Sequence, residues 1–325
     1  MPPTPHRRDP AQLPAGLVLD VPEAPAPYSG PGVPPDADRF TFALISDRTG
    51  DARPGVFERG IAALNTLNPV FAIQVGDLVE GYTDDPAVLD REWAEIDAML
   101  APLRMPLFHV PGNHDVANDT MRVRWLARYG RLYYHFRYRG VLFLLLNTQD
   151  PEIAPSPEVS ARLDARLAAA GDDEELRREA FFAELDWEGV PQAAALSDEQ
   201  LAYAEAVLAE HTDARHTILV MHMPLWQGSH DGPADGTGHP AYLRLRAALG
   251  GRPHTMFSGH VHNYRATEAD GNRYIRLGPT GGCWVYGDGD PGNVDHVTLV
   301  TIDRDGPHIA NLALDGIRGA DGTPV

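Results

Sequence analysis

Within Val110-Pro-Gly-Asn-His-Asp115, three consecutive side chains offer three different chemistries. Asn113 carries a neutral amide oxygen. His114 carries an imidazole, which can give or take a proton. Asp115 carries a carboxylate able to hold that imidazole in one orientation. Comparable groups close other apolar runs: Asp47 ends Ala43-Leu-Ile-Ser-Asp47, Asp77 ends Phe71-Ala-Ile-Gln-Val-Gly-Asp77, and His222 ends Ile218-Leu-Val-Met-His222. The run Thr255-Met-Phe-Ser-Gly-His260-Val-His262 closes on two imidazoles. At that spacing both leave the same face of extended backbone. Nitrogen and oxygen donors without a thiolate suit Mn, Fe, Zn or Ni rather than Cu(I).

The elements that position these groups are legible as strands alternating with helices. Phe40 to Ser46, Val70 to Val75 and Pro106 to Val110 read as buried strands. Between them, Phe57, Ile61 and Leu64 recur at helical spacing, as do Leu89, Trp93, Ile96 and Leu100. Tyr133 to Phe136 and Val141 to Asn147 read as a hairpin turning at Arg139-Gly140. Ser197-Asp-Glu-Gln200 is a capping box that opens a helix to about His211. A strand from Thr217 to Met221, a helix around Tyr242 to Leu249 and a strand from Thr255 to Ser258 follow. Tyr274 to Leu277, His296 to Ile302 and Ile309 to Leu314 alternate like antiparallel strands and are expected to finish a second sheet. The fold class is α/β, a two-sheet β-sandwich flanked by helices, with donors at the strands' carboxyl ends, where such sheets place ligands.

The ordered set Ser46-Asp-Arg-Thr49, Gly76-Asp77, Gly112-Asn-His-Asp115, Met221-His-Met-Pro224 and Gly259-His-Val-His262 resembles the calcineurin-like metallophosphoesterase family, from about Phe40 to about Gly282. The resemblance implies a phosphoric ester hydrolase with two metal ions. Asp47, Asp77 and His262 would hold the first, and Asp77, Asn113, His222 and His260 the second, with Asp77 as the bridge. A hydroxide between the ions would attack phosphorus, and His114 would protonate the leaving oxygen. One element departs from the pattern: Thr49 stands where the family's first histidine belongs. Three readings follow: the first ion keeps three protein donors and gains a water, Glu80 supplies the missing donor, or only the second ion is retained. Glu80 has two other readings, orienting His114 or lying solvated in a loop. Arg48 could fork onto phosphate oxygens or form a surface ion pair. Asp115 is expected to orient its neighbours. Trp226, His230 and His239 are further candidates for the pocket wall, and His109 reads as a core histidine.

Two other functions remain open: a binding module of the same fold without hydrolysis, and a biosynthetic enzyme using the same metals for another reaction.

The 325 residues carry a net charge of −19, which argues against a sequence-independent grip on a nucleic-acid duplex and leaves room for a small phosphorylated substrate at bound cations. Cys283 is the single cysteine, so a disulfide framework and a thiolate zinc site are excluded; it reads as a small buried residue. No apolar run reaches membrane-spanning length, and a cytoplasmic enzyme is the default expectation. Oligomeric state is not legible. Residues 1–38 form a proline-rich arm, 39–315 the metallophosphoesterase domain and 316–325 a tail. A charged helical insertion at about 150–195 would cap the pocket or decorate the surface. The arginines from Met121 to Arg139 read as a solvated face or a basic patch that steers an anion.

Overall fold

The structure, a computed structural model, describes residues 39–150, 194–227, 239–285 and 289–314, strand residues 17–19 and 28–29, and a few positions within 151–193. The rest of the proline-rich arm, most of the 150–195 insertion, the 228–238 loop with His230 and the 316–325 tail lie outside the described residues. In chain order the elements are β1 (Leu17–Leu19), β2 (Tyr28–Ser29), β3 (Phe40–Ile45), α1 (Val56–Leu67), β4 (Ala72–Val75), α2 (Pro86–Leu100), β5 (Leu107–Val110), α3 (Asn113–Val116), α4 (Asp119–Tyr129), β6 (Tyr134–Tyr138), β7 (Val141–Leu146), α5 (Asp198–Glu210), β8 (His216–Met221), α6 (Pro240–Leu249), β9 (His254–Ser258), β10 (Arg265–Ala269), β11 (Asn272–Arg276), β12 (His296–Asp303) and β13 (Gly306–Ala313).

Among the described residues, one sheet has the strand order β1-β6-β7-β8-β9-β11-β10 and the other β13-β12-β3-β4-β5-β2. The strands β3, β4 and β5 run parallel, as do β7, β8 and β9. Their side chains alternate between two apolar environments, as strand periodicity demands. Phe42, Ile73 and Phe108 meet Phe136, Phe143 and Phe257 between the sheets. Ala43, Ala72 and Leu107 face α1, α2 and α4, while Leu142, Leu219 and Met256 face α5 and α6. The two sheets therefore lie inside two helical layers. No helix among the described residues is long and apolar enough to cross a membrane.

Several expectations change. The three late strands do not finish one sheet: β11 joins β9 in parallel, whereas β12 and β13 pair antiparallel at the edge of the other sheet. Alternation reports a half-buried strand but not which sheet receives it. The arginine-dense stretch contains α4, which buries Met121, Trp125 and Tyr129 at every fourth position. Its arginines are paired outward, Arg124 with Asp90 at 3.1 Å and Arg137 of β6 with Asp213 at 2.9 Å. The capping box is half formed. Ser197 Oγ accepts the Gln200 N–H at 3.1 Å, but the Gln200 side chain crosses to the backbone of Asn147 at the end of β7.

Three buried histidines resist protonation in the folded chain. His109 stacks on Tyr129 at 4.1 Å, and burial, aided by Arg128, pushes its pKa down to about 3. Burial likewise lowers His216 and His296 to about 4. Below the ordinary histidine pKa the unfolded chain takes up these protons and the folded chain does not. The contribution of these three histidines is therefore expected in full above pH ~6.5 and to fall as the pH drops toward ~4, by on the order of 3 kcal/mol each. Urea unfolding across that window checks this, and His216→Gln should make the slope shallower by up to about one proton.

Candidate metal centre

The site lies where the carboxyl ends of the parallel strands of both sheets meet. Asp47 follows β3, Asp77 follows β4, Asn113 and His114 open α3 just after β5, His222 follows β8, and His260 and His262 follow β9. The loops continue the ladders beyond the strands: Asp47 N–H reaches Gly76 O at 3.1 Å, and Gly259 N–H reaches His222 O at 2.8 Å. Cross-sheet bonds close the seam. His260 N–H donates to Asp47 Oδ1 at 2.8 Å, and His222 Nδ1 bonds Val75 O at 2.8 Å. The approach is close enough that a Cβ on Gly112 would strike the Asp77 carboxylate, and one on Gly259 would strike Ser46 and Asp47.

Asp47, Asp77, His260 and His262 all have left-handed backbone, with φ of 48°, 62°, 72° and 53°. Each such non-glycine residue costs about 1–2 kcal/mol. Strain of this kind on four candidate ligands, among nine such residues described, is met at functional sites, where surrounding bonds hold the chain against its preference.

The donors form two groups that share Asp77. One atom each from Asp77, His222 and His260 lies within 4.8 Å of the others, and the same holds for Asp47, Asp77 and His262. His222 Nε2 is 3.1 Å from Asp77 Oδ2 and 3.0 Å from Asn113 Oδ1. Asn113 is turned oxygen-inward because its Nδ2 donates to the Tyr82 hydroxyl at 2.6 Å. His262 Nε2 is 3.4 Å from Asp47 Oδ1, and its Nδ1 bonds Cys283 O at 2.6 Å.

This donor set fits cations. In His222 and His262 the Nδ1 bonds a backbone carbonyl, which can only accept, so Nδ1 carries the hydrogen and Nε2 presents a lone pair to oxygens that are themselves acceptors. Such a contact is repulsive unless a proton or a metal ion lies between. The pKa shifts express the same demand: burial opposes charge on His222, yet Asp77 raises it to about 9. Burial also opposes His262, but Asp47 and Cys283 O raise it well above the ordinary value. Asp77 stays well below the usual carboxylate range because His222, His114 and His260 outweigh its burial. Thr49 Oγ1 is buried without a hydrogen-bond partner among the described residues, a spare oxygen where the family pattern has an imidazole.

A model of calcineurin-like phosphoesterases matches residues 40–264. The chain belongs to that family. No curated protein matches it in sequence. Among solved structures, a dimetal phosphatase from Danio rerio is 16% identical with a TM-score of 0.53, covering 85% of this chain and 99% of that one. A purple acid phosphatase from yellow lupin (Lupinus luteus) seeds is 14% identical with a TM-score of 0.57, covering 90% of this chain and 54% of that one. At such identities the likeness is one of fold, and it agrees with the two-sheet sandwich.

Against the family's pattern, the remaining candidates fall as follows. His114 is buried, its Nδ1 bonding Glu80 O at 2.8 Å and its backbone N–H donating to Asp77 Oδ1 at 3.0 Å. The Glu80 carboxylate accepts from Ala52 N–H at 3.0 Å and Gly50 N–H at 3.4 Å, so it braces the loop that carries Thr49. The backbone oxygen of Glu80 orients the His114 ring. Arg48 donates to Leu78 O at 3.4 Å and lies 3.8 Å from Glu95. Asp115 accepts the N–H groups of Gly112, Asp77 and Leu78 at 2.8–2.9 Å, stitching the β4 and β5 loops together. Burial and Asp77 push its carboxyl up to about 6, so it is ionised at neutral pH, the state its N–H donors favour. Trp226 is buried against Tyr274, and His239 caps α6 by accepting Ala241 N–H. Cys283 is half-buried, and its carbonyl accepts the His262 Nδ1 bond.

Tyr82 was not singled out by sequence. It orients Asn113 and packs edge-on against the His114 ring at 4.5 Å. Its place two residues past Glu80 carries no periodic or motif signal.

Proposed function

We propose that this protein is a metal-dependent hydrolase of phosphate esters acting on a small phosphorylated substrate. The observation that carries this reading is the pair of imidazoles whose Nε2 atoms are aimed at carboxylates while their Nδ1 atoms are tied to carbonyls. Asp47, Asp77 and His262 would hold one cation, and Asp77, Asn113, His222 and His260 the other. Bound there, the cations would neutralise phosphoryl oxygens and make water nucleophilic at neutral pH. The protein supplies the rest. Tyr82 keeps the Asn113 oxygen inward, and the carbonyls of Val75 and Cys283 keep two rings in the ligating tautomer. With Nδ1 held by Glu80 O, the proton His114 can transfer sits on Nε2 and passes to the leaving oxygen as the P–O ester bond breaks.

The test is metal removal. Chelator-stripped protein, reloaded singly with Mn, Fe, Zn or Ni, is expected to recover hydrolysis of p-nitrophenyl phosphate, of its bis ester, or of both. Tight metal binding without turnover on either ester would favour a binding module, with Thr49 as its mark.

Thr49 makes the two cation positions unequal. The first has three side-chain donors, and the nearby Glu80 carboxylate accepts the N–H groups of Gly50 and Ala52. Thr49→His is expected to tighten the weaker site by roughly tenfold or more. Calorimetric titration reads this, and unchanged affinity and stoichiometry would remove Thr49 from the account.

A further inference from the structure

Trp93, Trp125 and Trp226 are each 3% exposed or less, whereas Trp284 is 45% exposed and its neighbour Val285 61%. A single exposed apolar side chain ordinarily needs no explanation. Trp284 differs in how firmly its backbone is tied to the donor set. Gly282 N–H donates to Asp47 O at 2.8 Å, Cys283 N–H donates to Gly50 O at 2.9 Å, and Cys283 O receives His262 Nδ1 at 2.6 Å. One peptide unit therefore separates the indole from the carbonyl that fixes a proposed metal ligand.

The indole is also held from the side. The Arg53 guanidinium lies over the ring, 4.6 Å from its centroid. That guanidinium is anchored by Gly282 O at 2.7 Å and by Asp295 at 2.9 Å, so it is committed to the scaffold and is not a free phosphate clamp. A cation over one face fixes the ring plane. The result is an exposed aromatic ring, braced by a cation, on the residue that follows the carbonyl bonded to His262.

From this juxtaposition of Trp284, Arg53 and the Cys283–His262 bond, we infer that the substrate's organic group carries a planar aromatic ring, which stacks on Trp284 while the phosphate meets the donor set. This rests on the phosphoesterase reading and adds the substrate class to it. Offset stacking of two rings shifts affinity by roughly two- to tenfold.

The probes are phenylphosphonate and methylphosphonate, titrated calorimetrically into the full chain supplied with manganese. The parent is expected to bind the phenyl compound about five- to tenfold more tightly. Trp284→Ala should abolish that preference, and Trp284→Phe should keep most of it. Equal affinities in the parent, a preference that survives in Trp284→Ala, or no binding of either compound overturns the inference. So does a parent without preference whose Trp284→Ala variant only loses self-association, since the indole would then serve a second copy. Because phosphonates are not hydrolysed, the preference is read independently of turnover. An absence of ester hydrolysis with every metal counts against the phosphoesterase reading alone.

Discussion

Asp77→Asn is expected to lower metal-dependent ester hydrolysis by at least about 10³-fold, because metal charge stabilisation worth several kcal/mol is lost with the ions. Asp77 is the residue common to both donor groups, so one substitution strikes both cation positions. The change keeps the side chain's shape. An amide oxygen can still accept the His114 N–H that Asp77 Oδ1 now receives at 3.0 Å, so the α3 turn stays in place. What disappears is the negative charge between the two groups. Without it the His222 ring loses the partner that raises its pKa to about 9 and faces an uncharged amide. Metal content measured after gel filtration should fall together with activity, while far-ultraviolet circular dichroism stays that of the parent. Retention of both ions with full activity would remove Asp77 from the bridging position. Loss of circular dichroism would assign the effect to folding instead.

The parts of this site that sequence reveals are those in which side-chain type and strand position coincide. Asp47, Asp77, His222, His260 and His262 each follow an apolar run directly, and parallel strands bring such positions to one edge. Backbone groups carry no such signature. The carbonyls of Val75, Glu80 and Cys283 orient His222, His114 and His262, and any residue type supplies a carbonyl. Arg48 shows a second limit: charge and adjacency to Asp47 suit phosphate or carboxylate equally, and only the placement of α2 brings Glu95 within reach. Gln200 shows a third. Its spacing from Ser197 satisfies the capping rule, but a buried strand end with an unpaired N–H and C=O competes for the same amide and wins. The fold's helical layers were read from apolar spacing, except α4, where dense arginine obscured the buried Met121, Trp125 and Tyr129. The split of β11 from β12 and β13 was hidden because pairing partners are a tertiary property.

The proton-donor role of His114 predicts a dependence on leaving group that a metal ligand would not show. His114→Asn is the informative change, since its amide nitrogen can take over the bond from Nδ1 to Glu80 O, seen at 2.8 Å, and spare a buried acceptor. An unsatisfied carbonyl there would cost about 1–3 kcal/mol and confuse the result with stability. The bond from residue 114 to Asp77 Oδ1 is a backbone bond and survives any side-chain change. Metal content should therefore match the parent. For an alkyl phosphate, whose alkoxide leaves poorly without a proton, kcat is expected to fall by roughly 10²–10³-fold. For p-nitrophenyl phosphate, whose phenolate leaves as the anion, the loss should be about tenfold or less, because a proton arriving in the transition state contributes little there. The ratio of the two losses is the readout. If both esters slow by the same factor, His114 acts by holding the substrate or the metals, and the proton must come from solvent.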